Sequence, residues 1–408
     1  MSDKPVLVLS GERTTQLLVP HLVERFDLVV LSPAFGQSAR QTYGNERIML
    51  PFVDDLGEAR SRASSEAILR TAPLLNGNLS RAAMQLKSDL GEFDWENRLR
   101  DWTPNQLVSA FSRQIMLIDY LDNLMSKRSV RGVVVHEDVT ETFKSVVLWA
   151  NARGVPSVHV PHAACFLNGQ LGSDVHEFSV ATHLAATPFM ERFYRARGYS
   201  GEIRQTGSPL FDKTLAEKKQ GAGLGRRALQ LDAAQPVVVY ATSWGQSTNA
   251  NDGVNRMEAA LDAMLTAVYE NDWQLIIKVH PGEQPDIERL YAQRAVQHGI
   301  NCLVTRLYPA YVLDAANVVV ALGPSNYLVE AAIYGKPGVC VKMPNYSIQH
   351  AAIPEVEPIA EAVGAAVAKQ LSAGEGWGGK EFVRDVAGNH LGNASQRAAR
   401  WVSKLAEA

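Results

Sequence analysis

The stretch Gln274–Glu283, which reads QLIIKVHPGE, decides the fold of this chain. Residues 275–277 form a short apolar run of the kind that a buried parallel strand uses. Lys278 and His280 follow where this strand ends, and Pro281 fixes the turn. Ligands of open α/β sheets bind outside the carboxyl ends of the strands. The stretch therefore predicts a ligand site, and the alternative is a surface turn with a hydrogen-bonded histidine.

Runs of this kind recur on both sides of the opening stretch and alternate with helix-forming segments. A β-α-β order predicts parallel sheets with right-handed crossovers. Two such series predict an α/β protein with two Rossmann-like, doubly wound domains that face each other across a cleft. Besides the opening stretch, the predicted strands are Val6–Leu9, Leu28–Leu31, Leu50–Phe52, Val130–Val135, Ser157–Val160, His183–Pro188, Ile203–Pro209, Pro236–Thr242, Asn301–Thr305, Asn317–Leu322 and Gly338–Lys342.

Changes in composition predict the domain boundaries. Residues 1–212 are expected to form an N-terminal acceptor domain, and residues 236–390 a C-terminal nucleotide-donor domain. The polar stretch 213–235 between them reads as a linker, because its spaced glycines do not follow a strand and so form no dinucleotide fingerprint. Residues 391–408 predict a terminal helix, for which packing back on the N-terminal domain is one arrangement.

Composition bounds the class of protein. Among 408 residues, 46% are hydrophobic and 20% charged, which is enough apolar material for large cores. The net charge of −3 offers no global basic excess for nucleic acid. Three cysteines form no disulfide framework and fit a reducing compartment. No signal peptide or 18-residue apolar run is visible, so we expect a cytoplasmic protein, with peripheral contact at the inner face of the cytoplasmic membrane left open.

Polar residues of the second half predict an anion site. Ser325 opens a predicted helix, whose free N–H groups and positive end favour an anion, and Asn326 adds a donor. Glu330 lies further along that helix and can accept from two vicinal hydroxyls of a ribose. Lys278 and His280 can each donate to a phosphate. A helix cap at Ser325 and a solvated Glu330 are the alternatives, but together these residues favour a nucleotide phosphate site.

Polar residues of the first half also follow strand ends. Glu137 and Asp138, beside His136, could supply a general base with a tuned pKa. The alternative is a helix N-cap formed by Asp138 or Thr140. His162 ends the next strand and should lie near the same cleft. No second cluster has the spacing of metal ligands, so we expect no metal.

The end of the first strand is a further candidate on the acceptor side. Gly11 permits close approach of the backbone to a ligand, and Glu12 follows it.

Several segments resemble one family group, the GT-B-like transferases of bacterial surface polymers. This group includes CDP-glycerol glycerophosphotransferases and the capsule or lipopolysaccharide transferases that use CMP-sugars. The sequence departs from the pattern of this group at two positions. Leu391 stands directly before Gly392, where an acidic residue is usual, and Ala163 replaces the glycine of the QHG turn. The segments are QTGSPLFD (205–212), VVVYATSWG (237–245), KVHPGE (278–283), GPSNYLVEAAIYGKPGV (323–339), GNASQRAARWV (392–402) and, as a variant of the QHG turn, PHAA (161–164).

The resemblance implies roles for individual residues. Glu137-Asp138 is similar to the acidic motif that supplies the base in bacterial sialyltransferases of this fold, with Glu137 preferred. The implied catalytic residues are Glu137, Asp138 and His162, the implied donor-binding residues are Lys278, His280, Pro281, Ser243, Gly323, Ser325, Asn326 and Glu330, and the acceptor-side residues are Gly11, Glu12 and His136.

The resemblance also implies an activity. We expect a sugar or polyol phosphate to move from a CMP- or CDP-linked donor to a surface-glycan or glycolipid acceptor, with no metal, no cofactor and no nucleic acid. One alternative is a non-hydrolysing UDP-sugar 2-epimerase, and another is a non-catalytic nucleotide-sugar or glycan-binding protein. The sequence leaves the sugar, the acceptor, the stereochemistry and the oligomeric state open.

Overall fold

The structure is a computed structural model of the chain. It describes residues 4–54, 108–138, 140–162, 179–221, 223–243, 250–307, 309–343, 347–348 and 350–408. Residues 59–88, whose content of Ala, Arg and Leu predicts a helix, lie outside these ranges. Cys165, Ala163 of the PHAA segment and residues 244–245 of the VVVYATSWG segment also lie outside them.

The first half forms a seven-stranded sheet in which all neighbouring strands pair in parallel. Its spatial order is β3-β2-β1-β4-β5-β6-β7, so the direction of winding reverses between β1 and β4. The strands are Val6–Leu9 (β1), Asp27–Val30 (β2), Ile48–Met49 (β3), Val130–Val135 (β4), Ser157–His159 (β5), His183–Ala186 (β6) and Glu202–Gln205 (β7).

The second half repeats this plan with six parallel strands. The order β10-β9-β8-β11-β12-β13 places its reversal between β8 and β11. Every residue of β8 and β11 is buried, which agrees with strands covered by helices on both faces. The strands are Val237–Ala241 (β8), Gln274–Lys278 (β9), Leu303–Thr305 (β10), Val318–Leu322 (β11), Gly338–Val341 (β12) and Glu355–Val356 (β13).

Helices cover both faces of each sheet, and each face has its own apolar core. This is the doubly wound arrangement, and two such units give the α/β, GT-B-like fold expected from the sequence. The helices of the first half are Arg13–Gln16, Val19–Leu22, Pro33–Tyr43, Pro51–Asp54, Val108–Lys127, Glu141–Ala152 and Pro188–Ala196. Those that follow are Leu210–Gly221, Gly225–Ala228, Ala250–Asn271, Ile287–Gln297, Pro309–Ala315, Asn326–Ile333, Ala360–Ser372, Gly379–Val386 and Ala394–Glu407, with a 3-10 turn at Gly374–Trp377.

The chain crosses between the two sheets twice, and the two crossings lie side by side. The amide of Ser208 donates to the carbonyl of Ala387 at 3.0 Å. A Cβ on Gly388 would lie 2.7 Å from the Cα of Gly207, so the backbones touch here. After the second crossing, the helix Ala394–Glu407 packs into a core of the first sheet. The two crossings therefore form a double connection between the halves.

One element predicted from the sequence is wrong. Leu50–Phe52 was expected to be a strand, but the third strand is Ile48–Met49, and Pro51 begins a short helix. Proline favours the first turn of a helix, because the N–H that it lacks would have no partner within the helix there. In a strand the missing N–H removes a hydrogen bond of the ladder.

Candidate functional site

The carboxyl ends of β1, β4 and β5 carry the first group of polar side chains. These strands are neighbours in the sheet, and the winding reverses between β1 and β4. Ser10 follows β1, His136 follows β4, and His162 comes shortly after β5. The crevice of a doubly wound sheet opens at such a reversal. The structure thus brings these first-half residues to the place where a ligand is expected.

A chain of hydrogen bonds fixes the tautomer of His136. Thr15 Oγ1 donates to the carbonyl of Glu12 at 2.9 Å, so Ser10 Oγ is the donor in its 2.8 Å contact with Thr15 Oγ1. Ser10 Oγ then accepts from His136 Nδ1 at 3.0 Å, which leaves Nε2 unprotonated. This Nε2 lies 3.8 Å from Glu12 Oε2. Burial is the main cause that lowers the pKa of His136 to about 3, so the ring is neutral.

His162 has a proton-accepting nitrogen as well. Its Nδ1 lies 3.2 Å from the backbone carbonyl oxygen of His136. A carbonyl oxygen only accepts, so Nδ1 donates and Nε2 keeps its lone pair. Burial, followed by the positive charge of Arg13, lowers the pKa of His162 to about 4. At neutral pH, His162 is therefore an uncharged imidazole that can accept a proton.

Glu137 and Asp138 are buried and hold the backbone. Glu137 Oε1 accepts from the hydroxyl of Thr140 at 2.6 Å, and Oε2 from its amide at 3.0 Å, at the start of the helix Glu141–Ala152. Asp138 Oδ2 accepts from the hydroxyl of Ser179 at 3.0 Å and from the two amides that follow at 2.6 and 3.1 Å. The assignment of a general base to either residue stays a prediction.

The loop after β9 is held by Glu283. Its Oε2 accepts from the amide of His280 at 2.9 Å and from the hydroxyl of Thr242, and its Oε1 accepts from the hydroxyl of Tyr291. The amide of Gly282 donates to His280 Nδ1 at 3.0 Å, so Nε2 carries the ring proton. Burial is the main cause that lowers the pKa of His280. His280 is therefore a neutral hydrogen-bond donor.

Lys278 and Glu330 lie deeper in the second half. Lys278 is 7% exposed, and its Nζ donates to the carbonyl of Val279 at 3.2 Å. Burial is the main cause that lowers the pKa of Lys278, and the negative charge of Glu330 opposes this shift. Burial also raises the pKa of Glu330 to about 7, with repulsion from Glu217 as the second cause. The phosphate role of Lys278 and the sugar role of Glu330 stay predictions.

Ser325 and Asn326 link the two halves. Ser325 is the N-cap of the helix Asn326–Ile333, and its Oγ accepts from the amide of Tyr327 at 3.1 Å. The capping alternative for Ser325 is therefore present in the structure. Asn326 Nδ2 lies 3.5 Å from the carbonyl oxygen of His162, so this helix end meets the strand ends of the first sheet. Asn326 of the second half therefore lies beside the His162 loop of the first half.

The remaining predicted residues occupy turns near these strand ends. Gly11 and Gly323 have φ values of 73° and 71°, which glycine adopts without strain. A Cβ on Gly11 would lie 2.3 Å from Val30 Cγ1, so close packing also requires glycine there. Ser243 is partly buried after β8, and Pro281 is exposed in the turn after β9.

Comparisons with known proteins agree with this fold. The model of the family "CDP-Glycerol:Poly(glycerophosphate) glycerophosphotransferase" matches residues 163–303. Over these residues the chain is similar to this family of transferases. The match includes the loop after β9 but ends before the Ser325 helix. It confirms the resemblance seen in the sequence and the expectation of an enzyme that uses a nucleotide-activated donor. A search of curated proteins finds no match.

Solved structures of this fold include epimerases and a polymerase. The UDP-GlcNAc 2-epimerase of Methanocaldococcus jannaschii has a TM-score of 0.57 at 13% identity, over 98% of this chain and 99% of its own. The UDP-N-acetylglucosamine 2-epimerase of Rickettsia bellii has a TM-score of 0.58 at 13% identity, over 100% and 98%. The wall teichoic acid polymerase TagF has a TM-score of 0.50 at 10% identity, over 100% and 90%. At such identities these likenesses concern the fold.

Several residues around the candidate site were missed in the sequence. The hydroxyls of Thr242 and Tyr291 donate to Glu283, which in turn accepts from the amide of His280. A threonine after a strand and a tyrosine in a helix do not reveal such contacts in the sequence. Arg13 was missed because its charge acts on three histidines that are far apart in the chain. A positive residue directly after the glycine turn of β1 was the available hint.

Among the residues that the structure describes, no group of three or more His, Cys, Asp or Glu side chains could hold a metal ion. Within the same ranges, no helix has the length and apolar character needed to cross a membrane.

Proposed function

We propose that this chain transfers a polyol-phosphate or sugar unit from a cytidine-activated donor to a hydroxyl group of a surface-glycan or glycolipid acceptor, at the inner face of the cytoplasmic membrane. The family match over residues 163–303 supports the glycerophosphotransferase type of donor. The surface polymer, such as a capsule or lipopolysaccharide, and the reducing cytoplasmic setting are part of the same proposal.

The observation that carries the proposal is the opposite tautomer of two histidines in one cleft. His162 donates through Nδ1 to a carbonyl, so its Nε2 accepts protons. His280 accepts through Nδ1 from Gly282, so its Nε2 donates. Each ring is fixed by a backbone partner and needs no reorganisation during the reaction. The cleft therefore offers a base from the first half and a donor from the second.

These two groups match the needs of phosphoryl transfer. The acceptor hydroxyl gives its proton to His162 Nε2 while its oxygen forms a bond to the distal phosphorus of the donor. The bond from that phosphorus to the cytidine monophosphate breaks, and the monophosphate leaves with the bonding electrons. His280 Nε2–H stabilises negative charge on the phosphate without giving up its proton. Closure of the cleft excludes water, so hydrolysis competes less.

An anionic donor would also strengthen the base. The second cause of the low pKa of His162 is the positive charge of Arg13. A phosphate bound beside Arg13 offsets this charge and raises the pKa of His162 towards its ordinary value. The base then gains strength only when the donor is in place.

The test is release of cytidine monophosphate from CDP-glycerol, and of the same product from CMP-sugars, measured with and without a panel of glycan acceptors. We expect release that depends on the acceptor and a higher donor Kd for His280→Ala. Absence of release from every cytidine donor, with every acceptor, would overturn the proposal.

Sugar epimerisation, the alternative that the sequence raises, is the second candidate function, and proteins of this fold include UDP-GlcNAc 2-epimerases. Incubation with UDP-GlcNAc alone separates the two candidates. Formation of an epimer without any acceptor would favour epimerisation and contradict the transferase.

A further inference from the structure

We propose that a cavity between the helices Ala250–Asn271 and Ile287–Gln297 binds a small uncharged molecule with an apolar body and one hydroxyl group, and that this ligand stabilises the loop that carries His280. The cavity has a volume of about 490 Å³. Cavities that hold small molecules have volumes of about 300–1,000 Å³. It is a second site in the second half, and ligand binding there does not depend on the proposed transfer.

The cavity and the candidate phosphate-binding residues lie on opposite faces of the second sheet. Tyr240 of β8 lines the cavity and packs in the core that the two helices cover. Ile276 of β9 packs in the other core, together with Leu328 of the helix that Ser325 caps. Lys278 shares the face of Ile276, because side chains alternate along a strand. The sheet therefore separates the cavity from Lys278 and from the Ser325 helix.

The cavity wall is mostly apolar, with one unused hydroxyl at its floor. Tyr240 is 2% exposed, and among the described residues none hydrogen-bonds to its hydroxyl. Burial raises the pKa of this hydroxyl, so it keeps its proton and can donate. Buried polar groups nearly always have a partner, and only a molecule small enough to enter the cavity can supply this one. The apolar wall consists of Met257, Leu261, Ile287, Leu290 and Leu322.

The charged side chains of the wall favour an uncharged ligand. Arg294 donates to Asp262 Oδ1 at 2.7 Å and to Oδ2 at 2.6 Å, which also ties the two helices together. Glu283 accepts three hydrogen bonds within the protein. Glu258 is exposed at the rim, where water solvates it. An ion buried in the cavity would therefore lack a counter-charge, which is costly.

The cavity reaches the group of side chains that holds the His280 loop. Glu283 accepts from the hydroxyls of Thr242 and Tyr291, and all three residues line the cavity. Glu283 Oε2 also accepts from the amide of His280 at 2.9 Å. A ligand that packs against these side chains binds only while they keep their positions. Its binding therefore shifts the loop towards its ordered state.

The first experiment measures, by calorimetry on the full chain, the binding of 4-propylphenol and of propylbenzene, which lacks the hydroxyl. Tyr240→Phe should weaken 4-propylphenol about 3- to 10-fold and leave propylbenzene within about 2-fold. Leu290→Trp, at a half-exposed position of the wall, should fill the mouth of the cavity and weaken both at least about 10-fold. The control is Val296→Trp, on the same helix but outside the cavity wall, which should leave both within about 2-fold.

The second experiment follows hydrogen exchange of the His280 amide in wild type without nucleotide. A 4-propylphenol concentration of about ten times its Kd should slow this exchange about 10-fold and leave exchange in the first sheet unchanged. Because no nucleotide is present, the result does not depend on the proposed function.

The outcomes that contradict the proposal are distinct. Failure of 4-propylphenol to bind wild type would show that water alone fills the cavity. Wild-type affinity in both Tyr240→Phe and Leu290→Trp would place the ligand elsewhere. Equal affinities of wild type for 4-propylphenol and propylbenzene would overturn the role of the hydroxyl. Unchanged exchange of the His280 amide at saturation would overturn the link between the cavity and the loop.

Discussion

Replacement of Glu330 by glutamine should stabilise the protein at alkaline pH and not at acid pH. Burial raises the folded-state pKa of Glu330 from 4.5 to about 7. The folded state therefore binds a proton more tightly than the unfolded state, and stability falls as the pH rises from the unfolded pKa through the folded one. A shift of roughly 2.5 units at 1.36 kcal/mol each corresponds to about 3 kcal/mol lost by pH 8. Glu330→Gln removes this loss.

The assay compares urea unfolding of wild type and Glu330→Gln at pH 4.5 and pH 8. The difference between the two proteins should grow by about 3 kcal/mol in favour of glutamine between these values. Effects of other titrating groups cancel, because both proteins share them. Glu357→Gln serves as the opposite control, since the hydrogen bond from Lys342 lowers the pKa of Glu357 and its replacement should gain nothing at pH 8. An equal effect of Glu330→Gln at both pH values would refute the reasoning.

Three further predictions concern the base, the pH profile and the connection between the halves. His162→Asn keeps a side-chain amide for the carbonyl of His136 but has no base, so kcat should fall about 10²- to 10⁴-fold with donor Kd unchanged; a fall in donor affinity alone would contradict this. Because the pKa of His162 is lowered to about 4, kcat/KM should stay level from pH 7.5 down to 5.5, and a loss centred near 6.5 would place the base elsewhere. Gly388→Ala puts a Cβ 2.7 Å from Gly207 Cα at a φ of 97° and should cost about 1–3 kcal/mol more in thermal unfolding than Gly154→Ala, which meets no atom within 4 Å; equal effects would show that the crossings are not in tight contact.

The strands and the site edge could be predicted because both are local in the sequence. Apolar runs mark buried parallel strands, and the residues after them must lie at one edge of a sheet. His162 and His280 follow from that rule alone. The rule does not reveal the tautomers, because each depends on one backbone partner that only the folded chain supplies.

The roles of Glu137 and Asp138 show where local rules stop. Two carboxylates after a strand look alike in the sequence. The structure separates them, because Glu137 holds the amide three residues ahead, whereas Asp138 holds amides about forty residues away. The strand predicted at Leu50–Phe52 failed for a local reason. Its apolar residues suggested a strand, but Pro51 favours the start of a helix and begins one in the structure.

The placement of the helix Ala394–Glu407 constrains how the chain reaches its native state during synthesis. Ala398, Trp401 and Val402 belong to the same core as Leu7 and Leu9 of the first strand. A ribosome that has made only the first half has not yet produced part of that core, so the domain synthesised first is completed last. The second half, whose cores draw on residues from Phe211 to Ala387, can close earlier. Separate expression of residues 1–212 should therefore yield an aggregation-prone product, while adding the last helix back in trans would supply the missing apolar face.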